Sequence, residues 1–151
     1  ATDRLGDVEA AFTADGELVG VRYRNVVNLG AYIRAPEPAS VYRMHSTSNG
    51  AYRVQHIGVD NTLAVTNRMP AGLNRGYGGP QFYFALERIM DIAARGLGLD
   101  PVELRRRNLV RRDEFPYHCP AGSVLDSGDY DRCVDELLRI ADYPALLARR
   151  D

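Results

Sequence analysis

A glycine-rich segment divides this 151-residue chain into two halves with different patterns. Residues 68–80 contain four Gly and two Pro, a density that excludes a regular helix or strand. The pattern before this segment has the two-residue period of strands, and the pattern after it has the 3.6-residue period of helices. The sequence therefore predicts one partial α+β domain. It has a small antiparallel or mixed strand layer (1–67), a loop (68–81) and a helical half (82–151).

Two strands joined by a tight turn are predicted in the strand-rich half. The dipeptide Asp15-Gly16 separates two apolar, β-prone runs, which is a strong local signal for a hairpin. Apolar side chains alternate with glycine or arginine in the second run, so one face of that strand should be buried. The set expected to face the core is Val19, Val21 and Tyr23. A third strand is predicted over 57–67, after an irregular connection (34–51) with a short helix near 41–45.

The helical half begins with an amphipathic pattern over 82–97. Gly96 and Gly98 are expected to end this helix. Asp91 and Arg95 have the spacing of a favourable ion pair on its polar side.

The second helix is predicted to begin after Asp100, which has the properties of an N-cap and is followed by Pro101 at the first helical position. Two further helices are predicted over 130–141 and 143–149. The residues of the first of these that we expect to face the core are Cys133, Val134, Leu137, Leu138 and Ala141.

The composition fits one globular domain, with 45% hydrophobic and 26% charged residues. A formal net charge of −1 indicates no nucleic-acid or anionic-membrane partner. The arginines at 105–107 and 111–112 are flanked by acidic residues, so we interpret them as a solvated or inter-subunit face.

No apolar run approaches the roughly 18–20 residues of a membrane span, and no signal-peptide pattern opens the chain. We expect a cytoplasmic protein.

The two cysteines, Cys119 and Cys133, belong to no CxxC pattern. A structural zinc site needs about four ligands, and the three histidines are too scattered to supply the others. Free thiols and no metal site are therefore expected. The first residue is Ala rather than Met, which suggests a fragment, a processed chain or a split subunit.

Residues 72–81 carry the clearest chemical signal of the sequence. Their glycines let the backbone approach a ligand closely, and Pro80 suits the first position of the following helix, whose N-terminus would then face the loop. Arg75 adds a planar cation. This combination favours an anionic ligand such as a phosphate, a carboxylate or an oxo-metal group. The spacing matches neither a P-loop nor a dinucleotide fingerprint. A glycine-rich turn with Arg75 in a structural salt bridge remains an alternative.

Four stretches of the chain, taken in order, carry a family resemblance. They are a strand ending in Gly-Ala-Tyr (26–32); Thr-Asn (66–67) followed by RGYGGPQ (75–81); 85–91 with 97–101 and 104–109; and 114–117 with 126–130. Together they resemble the first molybdenum-cofactor-binding domain of the large subunit in the xanthine dehydrogenase/aldehyde oxidase family. This family includes the aerobic carbon monoxide dehydrogenases.

The resemblance implies that this chain forms one wall of a molybdopterin site. The implied cofactor-binding residues are Arg75, Gly76, Tyr77, Gly78, Gly79 and Gln81. Tyr77 would also face the substrate, and Arg43 aligns with a substrate-orienting arginine of the purine-oxidising members. No catalytic or metal-binding residue is assigned within the chain.

Some positions depart from the family pattern. Copper-dependent carbon monoxide dehydrogenases have Cys directly after the loop arginine, and Gly76 in that place argues against copper–molybdenum chemistry. Asn74 replaces the usual aromatic residue, which implies a more polar pocket wall. Cys119 stands where relatives often have Thr, and we interpret it as structural.

The family's GGxFG loop and its catalytic glutamate segment are not found in these residues. The glutamates at 87, 103 and 114 occupy structural positions of the pattern, so none is assigned as the general base. We therefore expect the isolated chain to be inactive.

The whole enzyme implied by the resemblance hydroxylates an aldehyde or an N-heterocycle with oxygen from water. Its cofactor is molybdopterin, for which a cytosine dinucleotide form is one alternative, with 2Fe–2S clusters and FAD on partner subunits or domains. The expected partners are the remainder of the molybdenum subunit and the iron–sulfur and FAD subunits, in an oligomer. A non-catalytic structural module that keeps the family fold without touching the cofactor is the alternative.

Overall fold

Three long strands precede the first α-helix, and two short strands lie between the second and third α-helices. This order of elements confirms the α+β prediction, although the short strand pair was not predicted. The computed structural model describes residues 3–39, 43–73 and 75–150. Its strands are β1 (Arg4–Phe12), β2 (Leu18–Gly30), β3 (His56–Val65), β4 (Tyr117–His118) and β5 (Val124–Leu125). Its helices are α1 (Gly79–Leu97), α2 (Pro101–Asn108), α3 (Tyr130–Ile140) and α4 (Tyr143–Arg150). Two 3₁₀ helices span Met44–Thr47 and Arg112–Glu114.

The main sheet is mixed, with β2 in its centre. Strand β1 runs antiparallel to β2 through the predicted turn, in which the N–H of Gly16 donates to the carbonyl of Thr13 at 3.0 Å. Gly16 has a φ of 89°, a value that glycine adopts without strain. Strand β3 runs parallel to β2, so the chain between them must cross back over the length of the sheet. Strands β4 and β5 form a separate antiparallel pair.

A β-bulge changes which side chains of β2 face the core. Ala11 pairs with Gly20 but Phe12 pairs with Leu18, so Val19 is the extra residue. This insertion lets Leu18 and Val21 both point inward although they are three positions apart. Val21 and Tyr23 are buried as predicted. Val19 is only half-buried, so the prediction of a fully inward Val19 is wrong.

Helix α1 covers the inner face of the sheet. The rings of Tyr23 on β2 and Phe82 on α1 meet edge to face, with centroids 5.0 Å apart. Further along α1, Leu86, Met90 and Ala94 are at most 1% exposed. Leu104 of α2 completes this core and is fully buried. The apolar stripe that the sequence predicted for α1 therefore lies at the centre of the domain.

Both ends of α1 differ from the sequence prediction. The helix begins at Gly79, so Pro80, which was expected at the first helical position, is its second helical residue. Gly96 lies inside the helix, whereas Gly98 ends it with a left-handed φ of 68°. Asp91 pairs with Arg105 of α2 at 2.9 Å, not with Arg95, because packing of the two helices brings the guanidinium close.

Helix α2 begins as predicted. The Asp100 carboxylate accepts hydrogen bonds from the N–H groups of Val102 and Glu103 at 2.8 and 3.2 Å, which is the bonding of an N-cap. At its other end, the buried side chain of Asn108 accepts from the N–H of Leu18 at 2.7 Å and donates to the carbonyl of Gly16 at 2.8 Å. Helix α2 is thereby tied to the β1–β2 turn.

Helix α3 buries only part of the set that the sequence pattern indicated, since Val134 and Leu138 are half-buried and the other members of the set are exposed. Leu137 is 64% exposed and Cys133 is exposed. Arg106 of α2 instead pairs with Asp131 and Asp135 of α3. These ion pairs turn the side of α3 that carries Asp131 toward α2, so the stripe through Leu137 faces outward. The core contact comes from Tyr130 and Val134.

The prediction of free thiols is confirmed. Both cysteines are free thiols, and Cys119 is buried. The short helix expected near 41–45 lies partly outside the described residues, and the 3₁₀ helix that follows is Met44–Thr47. Among the described residues, no helix has the length and apolarity to cross a membrane, and no cluster of three or more His, Cys, Asp or Glu could hold a metal ion.

Candidate functional site

A cleft of about 200 Å³ opens where the glycine-rich loop meets α1. Its wall is built from the start of β1, the connection after β2 and the loop before α1. The lining residues are Arg4, Glu37, Gly72, Leu73, Arg75, Gly76, Tyr77, Gly78, Pro80 and Gln81. Five of the six residues that the sequence assigned to cofactor binding therefore lie on one concave surface.

The first part of the loop is held against the end of β2. The N–H of Thr66 donates to the carbonyl of Gly30 at 2.9 Å, and the N–H of Ala71 donates to the carbonyl of Leu29 at 2.8 Å. Gly30 has a φ of 80°, and a Cβ there would lie 2.4 Å from the carbonyl oxygen of Met69. No other residue fits this position without moving the loop, which explains the glycine in the Gly-Ala-Tyr sequence.

The second part of the loop depends on two glycines. Gly76 and Gly78 have φ values of 71° and 77°, which L-amino acids rarely adopt. The N–H of Gly79 donates to the carbonyl of Gly76 at 3.2 Å and closes the turn. A Cβ on Gly76 would meet nothing within 4 Å. The backbone there consequently faces open space, where a ligand can approach it.

The start of α1 contributes fewer donors than the sequence suggested. Pro80 has no N–H, and the N–H of Gly79 is used within the turn. Of the first three helical residues, Gln81 is therefore the one with an N–H that could reach a ligand. Gln81 also lines the cleft. Gly79 is not among the lining residues. It is buried, and a Cβ there would lie 3.2 Å from the ring of Tyr83.

The structure brings together the two residues assigned to the substrate side. The Arg43 guanidinium donates to the phenol oxygen of Tyr77 at 3.4 Å. Tyr77 lines the cleft, whereas Arg43 is exposed beside it. Asn74, from which the sequence predicted a more polar pocket wall, lies outside the described residues.

Two charged residues of the cleft, Arg4 and Glu37, were not predicted from the sequence. Arg4, from the first residue of β1, is partly buried, and burial lowers its guanidinium pKa. The negative charge of Glu37 acts in the opposite direction, and this carboxylate is itself only 8% exposed. Arg4 precedes the stretches that carry the family resemblance, and Glu37 lies in an irregular connection, so no local pattern identified either residue.

The chemistry of the wall suits a ligand rich in hydrogen-bond acceptors. Arg75 and Arg4 supply guanidinium donors, Gln81 supplies a carboxamide, and the glycines leave the backbone accessible. A guanidinium binds oxyanions and planar groups through two parallel hydrogen bonds.

Comparisons with known proteins give a consistent result. A family model described as the molybdopterin cofactor-binding domain matches residues 1–109. Nicotine 6-hydroxylase large subunit from Paenarthrobacter nicotinovorans is 36% identical over 100% of this chain and 19% of its own length. The xanthine dehydrogenase molybdenum-binding subunit of Escherichia coli O157:H7 is 35% identical over 91% of this chain and 18% of its own length.

A solved structure agrees closely in fold. Quinoline 2-oxidoreductase from Pseudomonas putida 86 superimposes with a TM-score of 0.90 and 30% identity, covering 97% of this chain and 19% of that chain. The present chain thus spans about one fifth of the length of the curated relatives it matches.

Proposed function

Because this chain belongs to the molybdopterin cofactor-binding domain family, we propose that its cleft forms one wall of the cofactor site in a molybdenum hydroxylase large subunit. The observation that carries the proposal is the loop geometry. Gly76 and Gly78 adopt positive φ values side by side with Arg75, and all three line the same cleft. A tight backbone with a neighbouring guanidinium is an arrangement that binds anionic or strongly accepting groups.

The residues of the wall fit a molybdopterin. The guanidinium of Arg75 and the amide of Gln81 are donors that would hold its oxygen and nitrogen acceptors, and Gly76 leaves room for a flat ring to approach the backbone. Gly78 and Gly79 would keep the turn in the required shape. When bound, the cofactor supplies the metal centre at which a substrate is oxidised.

The contact between Arg43 and Tyr77 would form the substrate side of the wall. The phenol oxygen of Tyr77 and the Arg43 guanidinium offer hydrogen bonds to a ring nitrogen or an exocyclic oxygen of a heterocycle. Nicotine and quinoline, named in two of the relatives, are both N-heterocycles. An N-heterocycle is therefore the favoured substrate class, with an aldehyde as the second candidate.

For the whole enzyme, we propose hydroxylation with oxygen from water and transfer of electrons to 2Fe–2S clusters and FAD on partner subunits or domains. We place this enzyme in the cytoplasm, as an oligomer. Gly76 in place of a cysteine after the loop arginine argues against a copper-containing site. A cytosine dinucleotide form of the cofactor is one further element of the proposal.

The general base of the reaction would come from outside these residues. Three glutamates that the sequence assigned to structural positions make ion pairs away from the cleft lining: Glu87 with Arg105, Glu103 with Arg107 and Glu114 with Arg53. We therefore propose that the 151-residue chain alone does not turn over substrate.

The experiment compares variants of the complete gene product, expressed with the genes that adjoin it. Molybdenum and released pterin are measured per polypeptide for Arg75→Ala and for Arg95→Ala. The control arginine is exposed on the same helical half, about 25 Å along α1 from the loop. Loss of a charge-assisted hydrogen bond should lower cofactor content roughly tenfold or more in Arg75→Ala alone. Unchanged content in both variants would instead favour a structural module without cofactor contact.

A further inference from the structure

The two chain segments that leave β2 and β3 are joined to each other. The N–H of Thr66 donates to the carbonyl of Gly30, and the N–H of Ala31 donates to the carbonyl of Arg68, both at 2.9 Å. The segment after β3 then continues into the loop that lines the cleft. The position of the loop is thus set at the ends of the two parallel strands.

Asn28 lies at the centre of this junction. Its side-chain oxygen accepts hydrogen bonds from the N–H of Gly30 at 2.9 Å and from the hydroxyl of Thr66 at 2.7 Å. Its backbone N–H donates to the carbonyl of Asp3 at 3.0 Å. One residue therefore connects β2, the start of the cleft loop and the residue that precedes Arg4.

A second β-bulge explains why a side chain is needed at this point. Asn28 pairs with Ala64 but Gly30 pairs with Val65, so Leu29 is an extra residue in β2. Leu29 is 1% exposed and packs with Val27. The bulge interrupts the regular ladder, and the Asn28 side chain supplies an acceptor to the N–H of Gly30 in a turn of the Asx type.

Both segments joined by Asn28 lead directly into residues that line the cleft. Asp3 is followed directly by Arg4, and Thr66 leads through Ala71 to Gly72 and Leu73. Arg4, Gly72 and Leu73 all line the cleft. An ion pair between Arg68 and Asp3 joins the same two segments. Displacement at Asn28 would therefore change the spacing between Arg4 and the loop.

We propose that Asn28, acting through Thr66, is a positioning residue for the cleft. It sets the distance between Arg4 and the loop so that guanidinium and backbone groups converge on one ligand. That this ligand is the molybdopterin rests on the function proposed above, whereas the ordering of the loop by Asn28 does not.

The first test measures amide hydrogen exchange in this chain. Thr66→Val removes the hydroxyl with little change of shape, and Thr66→Ser retains it as the matched control. Loss of one neutral hydrogen bond should speed exchange of the Ala31 and Ala71 amides about fivefold in Thr66→Val. Exchange within α1 should stay as in the parent, and Thr66→Ser should behave like the parent. Equal acceleration throughout the chain, or none at Ala71, would overturn the proposal.

A second pair of variants changes Asn28, the other partner in the hydrogen bond with the Thr66 hydroxyl. Asn28→Asp keeps an acceptor oxygen and Asn28→Ala removes it, so only the alanine variant should reproduce the faster exchange. If Asn28→Ala does not fold, the Thr66 pair still decides the matter, since it leaves the bulge and its turn intact.

The second test measures released pterin in the complete gene product. Thr66→Val should lower pterin content about fivefold at unchanged subunit yield, with recovery in Thr66→Ser. Normal pterin in Thr66→Val, together with loss in Arg75→Ala, would overturn the positioning role and leave the proposed function standing. Normal pterin content in both variants would refute the proposed function, and with it the role of Asn28 toward the cofactor. In that case, faster exchange at Ala71 would still show that Asn28 orders the loop.

Discussion

Arg43 donates a hydrogen bond to the phenol oxygen of Tyr77 at 3.4 Å, although the two residues are 34 positions apart in the chain. Arg43 belongs to the connection between β2 and β3, and Tyr77 belongs to the loop before α1. The contact therefore links the two parts of the chain for which sequence comparison suggested a role in substrate binding. It also leaves both groups at the edge of one cleft.

Replacing Tyr77 by Phe should weaken substrate use without removing the cofactor. The ring remains, but the hydroxyl that accepts from Arg43 is lost. In the complete gene product we expect kcat/KM for an N-heterocycle to fall about fivefold, the value of one modest hydrogen bond. Steady-state kinetics on samples normalised to molybdenum would measure this change.

The matched control is Tyr83→Phe, since Tyr83 donates to the hydroxyl of Thr47 at 3.0 Å and does not line the cleft. It should leave kcat/KM as in the parent. Equal kinetics for parent and Tyr77→Phe would show that the phenol plays no part in substrate binding.

Two glycine substitutions should have opposite effects on stability. Gly76 has a φ of 71° and Gly96 lies within α1, and a Cβ at either position would meet nothing within 4 Å. Gly76→Ala should lower the free energy of unfolding by about 1 kcal/mol, because alanine is strained at positive φ. Gly96→Ala should raise it by about 0.5–1 kcal/mol, because alanine favours the helix. Urea denaturation would measure both, and stabilisation by Gly76→Ala would contradict the turn geometry.

Two leucines test which helical faces form the core. Leu104 is fully buried and Leu137 is 64% exposed. Leu104→Ala should destabilise the chain by about 2–5 kcal/mol, whereas Leu137→Ala should change its stability by roughly 0.5 kcal/mol or less. Thermal or urea unfolding of the isolated chain provides the measurement. A large loss in Leu137→Ala would mean that α3 is rotated inward, as the sequence pattern had suggested.

Stability should fall at alkaline pH because two tyrosines are buried. Burial, together with the negative charge of Glu87, raises the pKa of Tyr23 and Tyr52 well above the ordinary value of 10.0. The folded state therefore keeps both phenols protonated where the unfolded state begins to lose these protons. Their contribution is complete below about pH 10 and declines above it, by about 1.4 kcal/mol per pH unit for each tyrosine.

Tyr52→Phe should make this decline less steep, since one of the two linked protons is removed. The variant should also be less stable at neutral pH, because Tyr52 donates to Glu87 at 2.8 Å. Tyr32→Phe serves as the control, as Tyr32 is 62% exposed. Unfolding free energies at pH 8.5, 10 and 11 distinguish the slopes, and parallel curves for Tyr52→Phe and the parent would refute the linkage.

Much of the fold could be predicted from local sequence patterns. The turn at Gly16, the N-cap at Asp100 and the apolar stripe of α1 each depend on residues close together in sequence, and the structure confirms all three. The errors occur where a distant partner intervenes. Val19 is displaced by a bulge against β1, and Asp91 turns to Arg105 instead of Arg95.

The sequence by itself determined the location of the loop, since only glycine adopts the backbone conformation of Gly76 and Gly78 at low cost. It also determined the order of the three long strands and the four α-helices, because hydrophobic periodicity is a local property. The tertiary structure alone decided the parallel pairing of β2 with β3, the placement of Arg4 and Glu37 in the cleft and the outward face of α3. Each of these depends on packing between segments far apart in the chain, where the lowest free energy comes from joint burial and ion pairing. Local sequence patterns therefore do not predict these long-range contacts.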